Sequence, residues 1–264
     1  MSDTDQTFRR PEDLFRPETG RTYKEFWSNV AADKEGAYLG VAGMLFDRPY
    51  DDEDMSFEGR AVADILAREL EIEPHHDVLE IGVGVGRIAE HLAPRCKRFF
   101  GVDIASGMID VAQQRLAGQS NVHLRTLERS DLACFPSETF DRVYAQIVLI
   151  HLDREDVFNY VREAYRVLKP GGRAWFQTNN LLQRGGTACF IGVADEVARV
   201  GQADRGRVHF LTSPELRHYV ELAGLRIDER HSHLDLVEQE YGYVVPNIQW
   251  DHFLIAVAEK PTGA

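Results

Sequence analysis

Apolar and polar residues alternate in blocks over residues 77–103, and the blocks predict a strand, a turn, a helix and a second strand. An apolar run is interrupted by three glycines in the five residues 82–86. Apolar side chains then recur at helical spacing over residues 87–92, and a second apolar run ends at Asp103. Strand, glycine turn, helix, strand and acid, in this order, are typical of a nucleotide-binding βαβ unit.

Each residue type in this unit has properties that suit the binding of a nucleotide. Glycine lacks a Cβ, so the turn can adopt strained dihedral angles and a ligand can approach the bare backbone. The N-terminus of the following helix presents unpaired N–H groups, which suit a carboxylate or a phosphate. Asp103 lies 103 − 82 = 21 residues after Gly82, near the ~20 residues expected for a carboxylate that binds a ribose diol. The pattern therefore predicts a site for a cofactor that contains a nucleoside.

The glycine spacing distinguishes two classes of cofactor. A dinucleotide site requires G-x-G-x-x-G, whereas this chain has G-x-G-x-G and carries Arg87 in the place of the third glycine. The run from Glu80 to Gly86 resembles the first motif of the class I S-adenosylmethionine (SAM)-dependent methyltransferases. We therefore expect SAM as the cofactor. A nicotinamide-dependent oxidoreductase and a SAM-binding protein without methyl-transfer activity are the alternatives.

The resemblance also implies roles for individual residues. It implies that Asp103 binds the ribose hydroxyls, that Met108 lies against the adenine, and that Glu128 accepts a hydrogen bond from the adenine amino group, with Asp131 as its alternative. Gln146 follows the fourth predicted strand and is expected at the reactive end of the cofactor, because ligands of open α/β sheets bind at the carboxyl ends of strands. The full set of expected cofactor contacts is Glu80, Gly82, Gly84, Gly86, Asp103, Ile104, Met108, Glu128, Arg129 and Gln146.

The rest of the pattern extends this unit to an α/β domain. Pro170 and Gly171 suit a type II turn, and their surroundings, Leu168-Lys169-Pro170-Gly171-Gly172, resemble an architectural hallmark of the same family. The resemblance implies a doubly wound, seven-stranded, mostly parallel sheet, the Rossmann-like class I methyltransferase fold, with the last strand antiparallel. The predicted further strands cover residues 121–127, 141–147, 174–178, 225–231 and 252–258, and helices are expected over residues 157–168, after a cap at Ser106 and after a cap at Ser213.

The N-terminal region has a different character. Residues 1–20 are polar and are expected to form a mobile arm. Tyr23 and Trp27 belong to an aromatic and apolar stripe at helical spacing over residues 23–44. This stripe is either ordinary core packed on the main domain or a lid over the cofactor and the acceptor, and the sequence leaves both interpretations open.

These differences suggest a division of the chain. Residues 1–58 would form the arm and a helical cap, and residues 59–264 the SAM-binding methyltransferase domain. Within that domain, the glycine-rich residues 180–212 are expected to be an irregular insertion on the substrate side. The acidic residues 51–54 are expected in a solvated loop. Arg60 is expected at the surface, although it could reach the methionine carboxylate of SAM.

Composition and charge limit the classes of molecule that this protein is expected to bind. The chain has 264 residues and a formal net charge of −13, which argues against nucleic acid or an anionic membrane as its main partner. The polar N-terminus is unlike a signal peptide. Three scattered cysteines make disulfides and a thiolate metal site improbable, and they suggest a reducing, cytoplasmic compartment. His231 and His233 share a strand face, but no cluster of further metal ligands accompanies them, so we expect no metal.

The expected reaction is an in-line displacement at the sulfonium methyl group. Because SAM is already activated, the protein mainly supplies orientation and a dry site. An oxygen acceptor must also lose a proton, and His151, which follows the fourth predicted strand, is the candidate catalytic base. An amine acceptor need only arrive unprotonated. The Asn-Pro-Pro-Tyr type of motif that marks methyltransferases acting on nucleic-acid or protein amides is absent, which favours a small-molecule acceptor.

Overall fold

The protein is a mixed α/β structure, described here from a computed structural model over residues 22–42, 44–45, 48–200, 207–234 and 253–263. The expected arm over residues 1–20 lies outside these ranges. The described strands are β1 Met44–Leu45, β2 Arg48–Pro49, β3 Asp77–Ile81, β4 Arg98–Asp103, β5 Val122–Thr126, β6 Phe140–Ala145, β7 Leu168–Asn180, β8 Phe210–Leu211, β9 Arg226–Ile227 and β10 Phe253–Glu259. The described helices are α1 Tyr23–Val30, α2 Lys34–Ala42, α3 Asp52–Glu69, α4 Ala89–Leu92, α5 Ser106–Arg115, α6 Arg154–Val167, α7 Arg184–Val200 and α8 Ser213–Leu222.

One large sheet organises the domain. Its strands follow the order β5-β4-β3-β6-β7-β10-β9, and the short β8 pairs with β7 beside this path. The strands from β5 to β7 are parallel, while β10 is antiparallel to β7. The prediction of a mostly parallel sheet with an antiparallel final strand is confirmed. The carboxyl ends of the five parallel strands lie along one edge, where open α/β sheets bind ligands.

Both faces of the sheet are buried. Leu79 and Phe176 contribute to a core cluster on one face, together with α6 and α8. Their chain neighbours Val78 and Trp175 contribute to a second cluster on the opposite face, together with α3 and α5. Successive strand residues point to opposite faces, so a strand covered by helices on both sides reads as a continuous apolar run. This arrangement explains the short uninterrupted runs in the sequence.

The helices α1 and α2 cap the carboxyl edge of the sheet. The first begins at a capping box in which Thr22 and Glu25 satisfy each other's backbone N–H groups. Phe26 of α1 and Tyr38 of α2 belong to a third apolar cluster that includes Met108 of α5. The predicted helical region over residues 23–44 is thus two helices packed on the main domain.

One arginine of the main domain holds the cap. Arg115 donates hydrogen bonds to the carbonyl oxygen of Val85 at 3.2 Å, to Glu90 at 3.0 Å, to Asp52 at 3.1 Å and to the hydroxyl of Tyr38. It therefore ties the glycine turn, the cap and α3 together. The expected boundary between residues 58 and 59 falls inside α3, so the cap and the domain are joined through a continuous helix.

The acidic run was assigned wrongly to a loop. Asp51 is the N-cap of α3, and its side chain accepts hydrogen bonds from the backbone N–H groups of Glu53 and Asp54, each at 3.0 Å. Carboxylates are stabilised at a helix N-terminus because they face the positive end of the helix dipole and its unpaired N–H groups. A run of acids before an apolar helical pattern can therefore be the start of the helix.

Other boundaries also differ from the prediction. The segment expected to be irregular contains the 17-residue helix α7, whose side chains are mostly exposed. Thr212, and not Ser213, caps α8 through a capping box with Glu215, and Ala105, not Ser106, precedes α5. The strand expected over residues 225–231 shortens to β9. Among the described helices, none is long and apolar enough to cross a bilayer.

Candidate active site

The glycine turn after β3 is shaped by backbone conformations that other residues rarely adopt. Gly82, Gly84 and Gly86 have φ angles of 73°, 52° and 76°. A Cβ on Gly82 would lie 2.6 Å from a methyl group of Val148, and one on Gly84 would lie 2.9 Å from a methyl group of Val41. Both the dihedral angles and the space exclude side chains here. The turn therefore leaves bare backbone against the cavity described next.

A cavity that is partly open to solvent lies at the carboxyl edge of the sheet between the glycine turn and the cap. It brings together side chains from segments that are far apart in the sequence. Ten of the thirteen residues predicted for the site line it, namely Tyr23, Trp27, Glu80, Gly82, Gly84, Asp103, Ile104, Met108, Gln146 and His151. The expected cofactor and acceptor residues are thus neighbours in space.

Three predicted residues lie outside this cavity. Gly86 packs against α5, where a Cβ would approach Leu116 at 3.0 Å. Glu128 is highly exposed and forms a 2.5 Å ion pair with Lys24 of the cap. Arg129 is also exposed and lies 3.3 Å from Asp131. Glu128 and Arg129 line a shallower surface groove beside the cavity. In this structure their side chains link surface elements.

Asp103 is oriented by the backbone around it. Its Oδ2 accepts a hydrogen bond from the N–H of Gly84 at 2.9 Å, and its Oδ1 accepts one from the N–H of Ala105 at 2.9 Å. Burial raises the pKa of Asp103 to about 6, although the N–H groups of Ala105, Gly84 and Ile104 favour the charged form. Each oxygen has lone pairs left over, since a carboxylate can accept about four hydrogen bonds. Asp103 can therefore accept further hydrogen bonds from a ligand in the cavity.

Glu80 and Arg87 are buried ionisable residues that flank the glycine turn, one before it and one after it in the sequence. Burial raises the pKa of Glu80 to about 8, against the opposing effects of the Tyr144 hydroxyl and the Arg87 guanidinium. Arg87 is 3% exposed, and its Nη1 lies 2.9 Å from Oε1 of Glu58, which is 5% exposed. The sequence marked Arg87 only as a missing glycine and gave no signal for Glu58, because their pairing depends on how α3 packs on the turn.

The loop after β6 carries His151 to the cavity. The chain forms a short 3₁₀ turn over Leu149–His151, and the His151 side chain is largely buried there. Its ring lies 4.7 Å from the ring of Trp27 at an angle of 70°. Tyr23 lies nearby, and its hydroxyl accepts a hydrogen bond from the N–H of Asp153 at 2.7 Å. Both aromatic residues of the cap are therefore packed in the core and also line the cavity.

Sequence reasoning missed several lining residues. They include Val41 of α2, Leu127 and Ser130 after β5, Val148 after β6, and Tyr160 of α6. These side chains are apolar or uncharged, and their positions in the cavity depend on tertiary packing, so they carry no motif. Arg60, which was considered for the methionine carboxylate, is exposed and does not line the cavity.

His231 and His233, for which a metal was considered and not expected, have other partners in the structure. Nδ1 of His231 lies 2.9 Å from Asp228, and His233 forms an isolated bridge with Ile255 of β10. In the described part of the chain, the one group with metal-ligand spacing is Glu73, His75 and His76, which have ligand atoms within 4.8 Å of one another. It precedes β3, at the opposite end of that strand from the cavity.

Comparisons with known proteins connect this geometry to chemistry. Residues 79–176 match the model of a methyltransferase domain family. The chain is 27% identical over 182 residues to a ubiquinone biosynthesis O-methyltransferase of Pseudomonas entomophila, covering 61% of this chain and 78% of that one. It is 26% identical over 152 residues to a phosphoethanolamine N-methyltransferase of Plasmodium falciparum, covering 56% of this chain and 54% of that one.

A solved structure extends the likeness to most of the chain. It is the N-methyltransferase NodS from Bradyrhizobium japonicum in complex with S-adenosyl-l-homocysteine, with a TM-score of 0.59 and 18% sequence identity. The alignment covers 90% of this chain and 98% of NodS. The shared sheet and helix arrangement supports the Rossmann-like fold that the sequence predicted.

Proposed function

The chain belongs to the class I SAM-dependent methyltransferases, and we propose that it transfers a methyl group to an oxygen or nitrogen atom of a small-molecule acceptor. When bound, SAM would supply a methyl group on a positively charged sulfur, and the sulfur would leave as S-adenosylhomocysteine when a nucleophile takes the methyl group. The protein's task is then to hold the cofactor, to orient the acceptor and to keep water out. The residues around the cavity suit each of these tasks.

The orientation of Asp103 is the observation that carries the proposal. Its two oxygens are fixed by backbone N–H groups of Gly84 and Ala105, so its remaining lone pairs face a ribose diol without reorganisation. Met108 and Leu127 line the cavity nearby and offer apolar contact to an adenine ring. Gly82 and Gly84 leave room for the rest of the cofactor against the backbone, since a Cβ at either position would clash.

The order of the strands in the sheet suggests how the cofactor would be oriented in the cavity. Asp103 ends β4, Glu80 lies in the neighbouring β3, and Gln146 follows β6 on the far side of β3. In this arrangement Asp103 would hold the nucleoside, Glu80 would lie beside the methionine part, and Gln146 would lie at the end that carries the methyl group. The acceptor would lie at the carboxyl ends of β6 and β7.

Uncharged polar side chains occupy that end of the sheet. Oε1 of Gln146 accepts a hydrogen bond from Nε1 of Trp175 at 3.1 Å, and its Nε2 has no hydrogen-bond partner in the described ranges. Gln177 follows Phe176, the residue of β7 that pairs with Ala145 of β6; it is 0% exposed, and neither atom of its amide has a partner among the described residues. Buried amides without partners are costly. An acceptor with neutral hydrogen-bonding groups would satisfy the amide of Gln146, which lines the cavity.

His151 is the group best placed to handle a proton. An oxygen acceptor must lose its proton as it attacks, and His151 lines the cavity beside Trp27, at the end where the methyl group is expected. An amine acceptor that arrives uncharged needs no base. The relatives named above include both an O-methyltransferase and an N-methyltransferase, and both reactions fit this cavity.

The charge of the protein supports the choice of acceptor class. With a net charge of −13, the chain repels phosphate backbones and anionic membrane surfaces, so a small molecule is the better partner. Cys96, Cys134 and Cys189 are all free thiols, which supports a reducing compartment such as the cytoplasm.

The test is to incubate the protein with methyl-labelled SAM and a fractionated metabolite extract. We expect the label to move to a small molecule while S-adenosylhomocysteine accumulates in equal amount, and Asp103→Ala to abolish both signals at low SAM concentration. Calorimetric binding of SAM without any transfer of label across the fractions would favour a SAM-binding protein without activity. Binding of NAD in place of SAM would favour an oxidoreductase.

A further inference from the structure

One buried amide in the cavity wall has hydrogen-bonding capacity that the protein does not use. Gln146 directly follows β6, lines the cavity and is 5% exposed. Its Oε1 accepts a hydrogen bond from Nε1 of Trp175 at 3.1 Å, whereas its Nε2 is buried without a hydrogen-bond partner among the described residues. A buried donor without a partner costs free energy. The Nε2 group is therefore suited to donate to a ligand in the cavity.

Trp175 decides which atom of this amide is left without a partner. The indole Nε1 is a donor with no acceptor function, so it can bond only to the oxygen of the amide. Trp175 lies in β7, where it pairs with Tyr144 of β6, and it is 1% exposed within the core cluster on that face of the sheet. Close packing holds a side chain of this size in one rotamer. The amide of Gln146 therefore keeps Oε1 towards Trp175 and has the two N–H groups of Nε2 available.

The loop after β6 brings a second polar side chain of opposite character to the cavity. Ile147 and Val148 follow Gln146 and are apolar, and His151 is the next polar residue of this loop that lines the cavity. A neutral imidazole can accept a proton, whereas the Nε2 group of an amide can only donate a hydrogen bond. A donor and a proton acceptor that line one cavity suit an oxygen atom, because a hydroxyl oxygen can accept one hydrogen bond while it gives up its own proton.

We propose that Nε2 of Gln146, held in this orientation by Trp175, donates a hydrogen bond to an oxygen atom of the methyl acceptor. The proposal rests on the function proposed above and narrows it, since a carbonyl, ether or hydroxyl oxygen can accept this bond and an ammonium group cannot. A hydroxyl oxygen bound in this way can donate its proton to His151. Gln146 is then a specificity-determining residue, and Trp175 is a positioning residue that acts through it.

The experiment compares two cofactor analogues by calorimetry, so it does not require a known acceptor. S-adenosylhomocysteine has a bare sulfur, whereas sinefungin carries an ammonium group in the place of the transferred methyl group. In the wild-type protein this ammonium would meet the N–H groups of Gln146. Gln146→Glu keeps an oxygen for Trp175 and replaces Nε2 by a second carboxylate oxygen. We expect the affinity for sinefungin relative to S-adenosylhomocysteine to rise roughly 10- to 100-fold in this variant, since hydrogen bonds between charged groups are strong.

A second variant, Trp175→Phe, tests the orientation of the amide. It removes the indole N–H and keeps an aromatic ring, so the amide of Gln146 can turn and present Oε1 to the cavity. We expect the same ratio of affinities to rise roughly 3- to 10-fold, although Trp175 itself does not line the cavity. In a Gln146→Met background, Trp175→Phe should leave the ratio unchanged, because a thioether has no amide to turn.

Phe176→Leu is the matched control for the loss of core packing. Phe176 is the next residue of β7, is 0% exposed and packs on the opposite face of the sheet from Trp175. Its substitution should lower the thermal stability of the protein and leave the ratio of the two affinities unchanged. This control separates a weakened strand from a reoriented amide.

An unchanged ratio in Gln146→Glu would overturn the proposal and leave Gln146 a structural residue. A change in Gln146→Glu without one in Trp175→Phe would overturn the positioning role of Trp175. If Trp175→Phe does not fold, the ratio in Gln146→Glu decides alone. Failure of the proposed function gives a different result, because labelled SAM would then yield no methylated product whatever the ratio of the two affinities.

Discussion

The two halves of the cavity differ in how their polar groups are satisfied. At the half around Asp103, which we propose to bind the nucleoside, backbone N–H groups hold both oxygens of the Asp103 carboxylate. At the half around Gln146, which we propose to bind the acceptor, Nε2 of the Gln146 amide has no hydrogen-bond partner in the described part of the chain. The Asp103 carboxylate is therefore fixed in one geometry before a ligand binds, with lone pairs left for that ligand. The second half has hydrogen-bonding capacity left for a ligand that differs from one family member to another.

The largest expected effect tests the chemistry of the acceptor half. If His151 removes the proton of an oxygen acceptor, His151→Ala and His151→Gln should lower kcat roughly 10²–10⁴-fold while SAM affinity stays near that of the wild type. Steady-state rates with an identified acceptor and calorimetry with SAM would measure the two quantities. Retained rates, or a parallel loss of SAM binding, would make His151 a residue that orders the loop.

The contact between Gly82 and Val148, which joins the two halves of the cavity, should also respond strongly to mutation, and here the measured quantity is the free energy of unfolding. Gly82→Ala forces a side chain into a φ of 73° and into Val148, which should lower the free energy of unfolding by about 2–5 kcal/mol. Combining it with Val148→Ala should recover the steric part. Gly118→Ala is the control, because a Cβ there meets nothing within 4 Å. Denaturant unfolding of the four proteins would show whether the contact is as tight as the structure indicates.

Glu80, at the end of the cavity where we propose the methionine part of SAM to bind, should make the stability of the protein depend on pH. The pKa of Glu80 rises from 4.5 to about 8 on folding, so the folded state holds this proton more tightly. Its contribution to the free energy of unfolding is therefore lost as pH increases from about 4.5 to 8. Glu80→Gln should flatten this part of the profile and stabilise the ligand-free protein at pH 9 by about 2–5 kcal/mol. A difference between the two proteins that does not vary with pH would contradict the raised pKa.

The nucleoside half should respond to the loss of one carboxylate. Asp103→Ala should weaken SAM by about 2–4 kcal/mol, because charge-assisted hydrogen bonds are strong, while the thermal stability of the ligand-free protein is retained. Asp110→Ala, at an exposed position of α5, is the matched control. Unchanged SAM affinity in Asp103→Ala would mean that the ribose binds elsewhere.

The smallest expected effect on SAM affinity concerns Glu128 and Arg129, which lie just outside the half of the cavity around Asp103. Glu128 and Arg129 lie in the surface groove beside the cavity, so Glu128→Gln and Arg129→Gln should each change SAM affinity less than about 3-fold, as exposed ion pairs contribute little. A tenfold loss in Glu128→Gln would support the adenine contact that the family resemblance implied.

The sequence predicted the nucleoside half better than the acceptor half, and the reason is physical. The glycine turn and Asp103 belong to one βαβ unit, whose spacing is fixed by local geometry. Gln146 directly follows β6 and Gln177 lies in β7, and a single sequence does not show that these two strands pair or in which register. The pairing of Glu58 with Arg87 likewise depends on the packing of a distant helix.

The errors along the chain have local causes. The acids at residues 51–54 fit a solvated loop and a helix N-terminus equally well, and the N-cap of Asp51 decides between them. The glycines before and within α7 suggested irregular structure, although 17 residues there are helical. Composition indicates only how readily a segment adopts an irregular conformation. The hydrogen bonds that the segment forms in the folded protein decide whether it is helical or irregular.

The way Arg115 holds the cap has a consequence for biosynthesis. Tyr38 leaves the ribosome 77 residues before Arg115, and Lys24 leaves it 104 residues before Glu128. At translation rates of about 5–20 residues per second, these partners are separated by roughly 4–20 seconds. During that interval the aromatic side chains of α1 and α2 have no domain to pack on. The segment made first is thus among the last to reach its native contacts.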